Sequence, residues 1–440
     1  MSGAMTDGAR VVRRTYLILT LLSTFSASLI WGINTLFLLD AGLSISEAFV
    51  VNAFFTIGQV VFEVPTGVVA DMWGRRTSYL LGSATLLAST LLYLLMWDIR
   101  APLWGWAIAS MVIGLGFTFF SGAVEAWLVD ALAANGYDDE MDPVFARGQV
   151  IGGISMLTGA VVGGFLAQIT NLGFPYVVRA GLLLVTLVVA AVVMRDEGFT
   201  PSRGGGPLTE MRRLVRASLD HGWRVRPLRW VMLASPFTAG VGVFAFYAMQ
   251  PYLLELYGDD TAFGIAGLAA SILAAAQIVG GLTVGLVRRI FRSRTTVMLV
   301  GAAVSAVVLA VVGWSGNFWA AIAGLALWGL VFSAVGPVRQ AYVNGLVPST
   351  ERATVLSFDS LLGSAGGAVT QPALGRVADA WSYGASYVVC GAVQAIAVPL
   401  IAASRSHRAP CDDIEFDVAT DRPVPLECDP TGPFASVRSD

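Results

Sequence analysis

Apolar runs of membrane-spanning length recur along almost the whole chain. A transmembrane helix needs about 20 predominantly apolar residues. Only 13% of the 440 residues are charged and 56% are hydrophobic, whereas soluble domains are about 25% charged. The sequence therefore predicts an all-α polytopic membrane protein, not a soluble one. Twelve spans are predicted, at 16–39, 47–70, 77–97, 102–132, 146–170 and 174–194, and at 228–253, 261–287, 295–314, 317–346, 352–378 and 383–403.

The arginines predict how the spans are oriented. All 27 basic residues are arginine, and most lie in the N-terminal segment, the loops after the second and eighth spans, the central linker and the tail. Basic residues accumulate on the cytoplasmic side of membrane helices. Both termini are therefore predicted to be cytoplasmic. The expected location is the plasma membrane of a bacterium, and the absence of lysine suggests a high-GC genome.

The spans divide the chain into two six-helix bundles. We predict a cytoplasmic N-terminus (1–15), a first bundle (16–194), an amphipathic cytoplasmic linker (195–227), a second bundle (228–403) and a disordered acidic tail (404–440). The two bundles also match at a nearly constant offset, which favours two repeats with a substrate path between them near the bilayer middle. The matching positions are Arg75 with Arg288, Arg76 with Arg289, Glu125 with Arg339, Asp130 with Asn344, and Arg147 with Arg352.

A short motif follows the second span. Gly67, Asp71, Gly74, Arg75 and Arg76 fit the pattern GxxxDxxGRR. At this place in a six-plus-six topology, the motif resembles the loop signature of the major facilitator superfamily of secondary transporters. The resemblance covers residues 14–403 and omits the tail.

The resemblance implies a transporter that works by alternating access, and not an enzyme. In this family the loop latches the two halves on the cytoplasmic side. The resemblance implies that Asp71 contacts the start of the eleventh helix and that Arg75 contacts Asp130 at the inner end of the fourth. The alternative is that Arg75 and Arg76 only set topology.

Three glycines in the fifth span are similar to the glycine-rich signature of the family's exporters. They are Gly159, Gly163 and Gly164, but the proline of that signature is replaced by Ala160. Small residues where two helices cross closely explain the same pattern equally well.

Several charged residues lie inside predicted spans, where charges are costly and usually functional. Glu63, Glu125, Arg339 and Asp359 each lie about 10 Å from the cytoplasmic end at 1.5 Å per residue, so we predict one layer. The hypothesis is a cytoplasmic gate in which one or more acids bind the coupling proton; the alternative is a static ion-pair network. Arg179 lies near the outer end of the sixth span, from which it can snorkel to the interface, and we interpret it as structural rather than substrate-binding.

The family architecture places spans one, four, seven and ten around the central cavity. Trp31 and Asn34 share a helix face in span one, and Tyr247 and Gln250 share one in span seven. Such aromatic groups suit an amphiphilic or cationic substrate.

The leading functional hypothesis is proton-coupled efflux of small amphiphilic molecules or drugs. A proton-coupled uptake symporter and a lipid flippase remain alternatives on the same fold. Neither a metal site nor a cofactor is predicted, and the proton gradient is the expected energy source. The expected partners are a small-molecule substrate, protons and the lipid bilayer, without nucleic acid, and the chain is expected to act as a monomer.

Overall fold

The structure is a computed structural model that describes residues 6–137, 139–199, 225–347, 352–414, 416–417 and 422–423. Helices make up nearly all of the described chain. Most of the predicted linker helix lies outside the described residues, so that prediction is not addressed.

The first half contains eight helices. Local side chains fix several of their ends: the Ser44 hydroxyl accepts from the Glu47 N–H while the Glu47 carboxylate accepts from the Ser44 N–H, which caps α3. The helices are α1 (Asp7–Trp31), α2 (Asn34–Asp40), α3 (Ile45–Trp73), α4 (Arg75–Asp98), α5 (Leu103–Thr118), α6 (Ala123–Ala134), α7 (Asp142–Ile169) and α8 (Phe174–Val193).

The second half also contains eight helices among the described residues. It contains α9 (Arg226–Tyr257), α10 (Phe263–Leu282), α11 (Val284–Ile290), α12 (Arg294–Ser315), α13 (Phe318–Gly345), α14 (Arg352–Ala380), α15 (Tyr383–Ala395) and α16 (Ala397–Ser406). A short 3-10 helix (Pro410–Asp412) and a two-stranded antiparallel ribbon, β1 (Phe416–Asp417) with β2 (Arg422–Pro423), follow.

The described helices account for most of the predicted spans. Ten are long and apolar enough to cross a membrane, and the bent pair α1 and α2 would make eleven. The predicted eleventh span coincides with α14, which is not among these helices. The all-α membrane fold is confirmed, whereas the count of twelve spans and the side of the termini stay predictions.

The chain forms two compact units. The first contains residues 1–211, 246–274 and 371–380, and the second contains 212–245, 275–370 and 381–440. The C-terminal parts of α9 and α14 and the N-terminal part of α10 thus belong to the same unit as the first six predicted spans. Each unit has its own apolar core.

Within the first unit, glycines bring helix backbones into close contact. A Cβ on Gly163 would lie 1.8 Å from the carbonyl oxygen of Leu29 in α1, and one on Gly267 would lie 2.5 Å from the carbonyl oxygen of Ala160. The glycines of the possible exporter signature therefore lie at crowded helix crossings. This geometry fits the packing interpretation and does not test the direction of transport.

The beginning of the tail is ordered, in contrast to the predicted disorder from residue 404. In the second unit, Asp412 accepts hydrogen bonds from the Thr295 N–H (2.7 Å), the Thr295 hydroxyl (2.7 Å) and the Ser293 hydroxyl (2.9 Å). Arg294 donates to the carbonyl oxygens of Cys411 and Asp413. The acidic residue is thus held because it caps the N-terminus of α12.

Candidate functional site

The loop between α3 and α4, which carries the GxxxDxxGRR motif, forms a compact cluster of charges. Gly74 has φ +100°, a conformation that glycine adopts without strain, and it allows the sharp turn between the two helices. Asp71 forms an ion pair with Arg75 at 2.7 Å. Arg76 donates from Nη2 to the carbonyl oxygen of Ala191 (2.8 Å).

The predicted partner of Arg75 differs from the one in the structure. Arg75 pairs with Asp71, one helical turn away, and forms no ion pair with Asp130 among the described residues. Asp130 lies on α6 and is half-buried. The nearer carboxylate takes the guanidinium in this structure, and the contact of Asp71 with the start of the eleventh helix stays a prediction.

A residue outside the motif caps α4. Asp196, just after α8, accepts from the Arg76 N–H at 2.8 Å, and a Cβ on Gly74 would lie 2.2 Å from its Oδ2. Gly74 and Asp196 therefore fit each other closely. Sequence reasoning missed this residue, although the acidic position just after the sixth span was a visible signal.

The predicted charge layer is divided between the two units. In the second unit, Arg339 donates from Nη1 and Nη2 to the two carboxylate oxygens of Asp359, both at 2.6 Å. In the first unit, Glu63 and Glu125 are exposed, and Glu63 accepts from the Ser121 hydroxyl at 2.7 Å. The structure brings Arg339 and Asp359 together, while a single four-residue layer stays a prediction.

The candidate cavity residues Trp31 and Gln250 lie at the break between α1 and α2, in the first unit. The Gln250 Nε2 donates to the carbonyl oxygen of Trp31 (2.6 Å), and its Oε1 accepts from the Thr35 N–H (2.9 Å). These helices bend by 49°, and a broken helix frees backbone groups that must find other partners in a membrane. Gln250 supplies both partners in one side chain.

Asn34 belongs to a buried hydrogen-bond chain. Its Nδ2 donates to the Asn52 Oδ1 (2.9 Å), and its Oδ1 accepts from the Tyr176 hydroxyl (3.0 Å). Asn52 and Tyr176 were not predicted, because no spacing rule links the second and sixth spans to the first. Tyr247 lies in the same unit and packs edge-to-face on Phe246, with 5.3 Å between ring centroids.

The position of Arg179 is different from the one expected. The side chain is buried, with 1% exposure of the residue, instead of reaching the membrane interface. Its guanidinium carbon lies 6.0 Å from the centroid of the Phe117 ring. Arg179 and Tyr176 lie on one face of α8, three residues apart, which was a readable signal.

The apolar helices of membrane-spanning length among the described residues define a polytopic membrane protein. The sequence profile of the Major Facilitator Superfamily matches residues 16–276 and 232–416. The chain therefore belongs to this superfamily of secondary transporters, as the loop motif predicted. This family and fold are those of a transporter and not of an enzyme.

Solved structures show the same fold. They include the nucleoside transporter NupG (TM-score 0.73, 12% identity, covering 90% of this chain and 99% of that chain). A D-xylose-proton symporter has a TM-score of 0.67 at 15% identity, over 90% of this chain and 97% of that one. The POT family transporter PepTSo has a TM-score of 0.67 at 13% identity, over 92% and 99%. No curated protein sequence matches the chain.

Proposed function

We propose that the protein is a proton-coupled exporter of small amphiphilic molecules that works by alternating access in the plasma membrane, as a monomer. Secondary transport is inferred from the superfamily to which the chain belongs. The ion pair between Arg339 and the buried Asp359 is the observation that supports proton coupling.

The pair can link a proton to a conformational change. Asp359 is 6% exposed, and both of its oxygens accept from Arg339. Protonation of Asp359 would remove its charge and leave Arg339 within the membrane without a counter-ion, which is unfavourable. A state of the protein that gives Arg339 another partner or water would then be favoured, because a ligand shifts a conformational equilibrium through its differential affinity.

Amphiphilic substrates are supported by the aromatic surroundings of Asn34. The Phe37 ring stacks on Tyr176 at 4.1 Å and meets Trp106 edge-on at 5.8 Å. Rings of this kind contribute large apolar contact area together with polar tips.

Uptake by symport is the second candidate. One of the similar structures is a D-xylose-proton symporter, and the loop motif occurs in transporters of either direction. Export and uptake are distinguished by the experiment below.

The experiment expresses the protein in a susceptible host and exposes it to a panel of toxic amphiphiles. Export predicts reduced sensitivity and uptake predicts increased sensitivity, and a protonophore should abolish either effect. For each active compound, transport driven by a pH gradient is then measured in vesicles for the wild type, Asp359→Asn and the exposed loop control Asp139→Asn. Coupling through Asp359 requires that only Asp359→Asn lose gradient-driven transport; if it keeps that transport, the proposal is wrong.

A further inference from the structure

Arg179 carries a charge that the described protein does not neutralise. It forms no ion pair and no hydrogen bond with any described residue, and its Nε and Nη2 are both buried without a partner. Removing a guanidinium from water is costly unless it is paired. The contact with Phe117 is a cation-π interaction, which offsets only part of that cost.

The electrostatic surroundings of this charge include no described carboxylate. The residues that interact with it electrostatically are Tyr93, Tyr176 and Tyr247. Two more buried N–H donors of the same unit lack acceptors, the Nδ2 of Asn52 and the Nε1 of Trp106.

The groups other than Arg179 are connected by direct contacts, and Tyr176 lies three residues before Arg179 on the same face of α8. The Trp106 ring meets Tyr93 edge-on at 5.1 Å, and Tyr93 stacks with Tyr176 at 6.1 Å between centroids. The Tyr176 hydroxyl donates to Asn34, which in turn donates to Asn52. We call this set the Arg179 cluster: Asn34, Asn52, Tyr93, Trp106, Tyr176 and Arg179.

The two free nitrogens of Arg179 have a specific geometry. The Nε–H and one Nη2–H point to the same side of the planar guanidinium. This edge binds the two oxygens of a carboxylate, phosphate or sulfonate through parallel hydrogen bonds. An acceptor with two oxygens would satisfy both orphan donors at once.

We infer that the Arg179 cluster binds the anionic group of the transported molecule, and that the substrate is a small aromatic or amphiphilic acid, most simply an organic carboxylate. This inference rests on the proposed transport function. The rings of Phe37, Tyr93 and Trp106 supply the apolar contacts for the rest of such a molecule.

The test measures binding to purified protein, separately from transport. Three aromatic carboxylates of increasing size, benzoate, 2-naphthoate and indole-3-acetate, are each compared with the matching neutral amide. Binding is followed by tryptophan fluorescence and by the shift in Tm. The wild type is expected to bind at least one carboxylate about 10- to 100-fold more tightly than its amide, the range for hydrogen bonds to a charged group.

Variants assign the effect to Arg179. Arg179→Met should abolish the preference for the carboxylate, and Arg179→Lys, which keeps the charge but lacks the planar edge, should retain only part of it. Arg100→Met, at an exposed arginine, is the matched control and should behave as wild type. If Arg179→Met does not fold, Arg179→Lys still decides the question: an unchanged carboxylate preference in that variant overturns the bidentate site.

Other outcomes contradict the inference. It is overturned if no carboxylate binds better than its amide, or if Arg179→Met binds the carboxylates as the wild type does. It is also overturned if inorganic phosphate alone binds at Arg179, because the occupant would then be a free ion and not the substrate. A carboxylate preference in wild type together with unimpaired gradient-driven transport by Asp359→Asn would support the anion site and reject only the proposed coupling.

Discussion

Arg179 in the first unit and Arg339 in the second both lie inside predicted spans, but they are neutralised differently. Arg339 shares two hydrogen bonds with Asp359, whereas Arg179 has no carboxylate partner among the described residues. An arginine paired within the protein already has its counter-ion. An arginine left unpaired in a buried donor-rich environment is arranged to receive one from outside. The comparison therefore separates a residue suited to coupling from one suited to substrate binding.

The largest effect is expected when Arg339 loses its counter-ion and becomes unpaired, as Arg179 is. Asp359→Asn leaves Arg339 without its counter-ion, and breaking a buried pair costs about 3–5 kcal/mol. Since the Arg339 side chain remains 24% exposed, we expect about 1–3 kcal/mol of destabilisation. Thermal unfolding in detergent measures this change. The double variant Arg339→Gln with Asp359→Asn should recover part of the loss; a double variant less stable than Asp359→Asn would show that the ion pair is not the cause.

Smaller losses of stability are expected when the helix-capping residues Asp412 and Asp196 are replaced, and the two losses should differ in size. Loss of a side-chain cap costs about 0.5–2 kcal/mol. Asp412→Ala should lie at the upper end because Asp412 is buried and accepts three hydrogen bonds. Asp196→Ala should lie at the lower end because Asp196 is exposed. Hydrogen exchange at the Arg76 and Thr295 amides measures the local opening, and equal effects at both caps would contradict the role of burial.

Arg179→Met should change stability in the opposite direction from Asp359→Asn. Removing an unpaired buried charge relieves its desolvation cost, so we expect the unliganded protein to be unchanged or stabilised by up to about 1 kcal/mol. The same thermal unfolding assay applies, without any added acid. Destabilisation by more than about 2 kcal/mol would mean that the guanidinium has a partner within the protein, and the contrast with Arg339 would fail.

The smallest effect is expected at Asp259. This carboxylate lies outside the spans, is exposed and forms no ion pair with a described arginine. Hydrogen bonds from the Thr261 hydroxyl (2.7 Å) and the Thr261 N–H (2.9 Å) lower the pKa of Asp259 below its usual value. A lowered pKa adds stability above the pKa of the unfolded chain, and that stability is lost as pH falls through the folded value.

Thr261→Val removes the hydroxyl and should move the pKa of Asp259 back toward its usual value. The contribution of Asp259 to stability should then be smaller, and its loss on acidification should be complete at a higher pH. Carboxyl NMR of the labelled protein measures the titration. An unchanged pKa would show that the backbone N–H alone sets it.

The sequence predicted the fold much better than the contacts of the site. Hydropathy found most of the predicted spans because each span must be apolar over the thickness of the bilayer, and the loop motif predicted the family. The sequence also identified Arg339 and Asp359 as charged residues inside predicted spans. The expected position of Arg179 was wrong. The depth of a residue along its helix can be estimated from the sequence, but the burial of its side chain depends on neighbours from other spans. Asn52, Tyr176 and Asp196 were missed for the same reason.

Gln250 supplies partners for the backbone groups that are freed at the bend between α1 and α2. A single amide holds the last carbonyl of α1 and the first turn of α2, so both groups depend on the same residue of α9. An apolar side chain at this position would leave one acceptor and one donor of the bend without a partner at once, in a part of the chain where the bilayer offers no water to replace them.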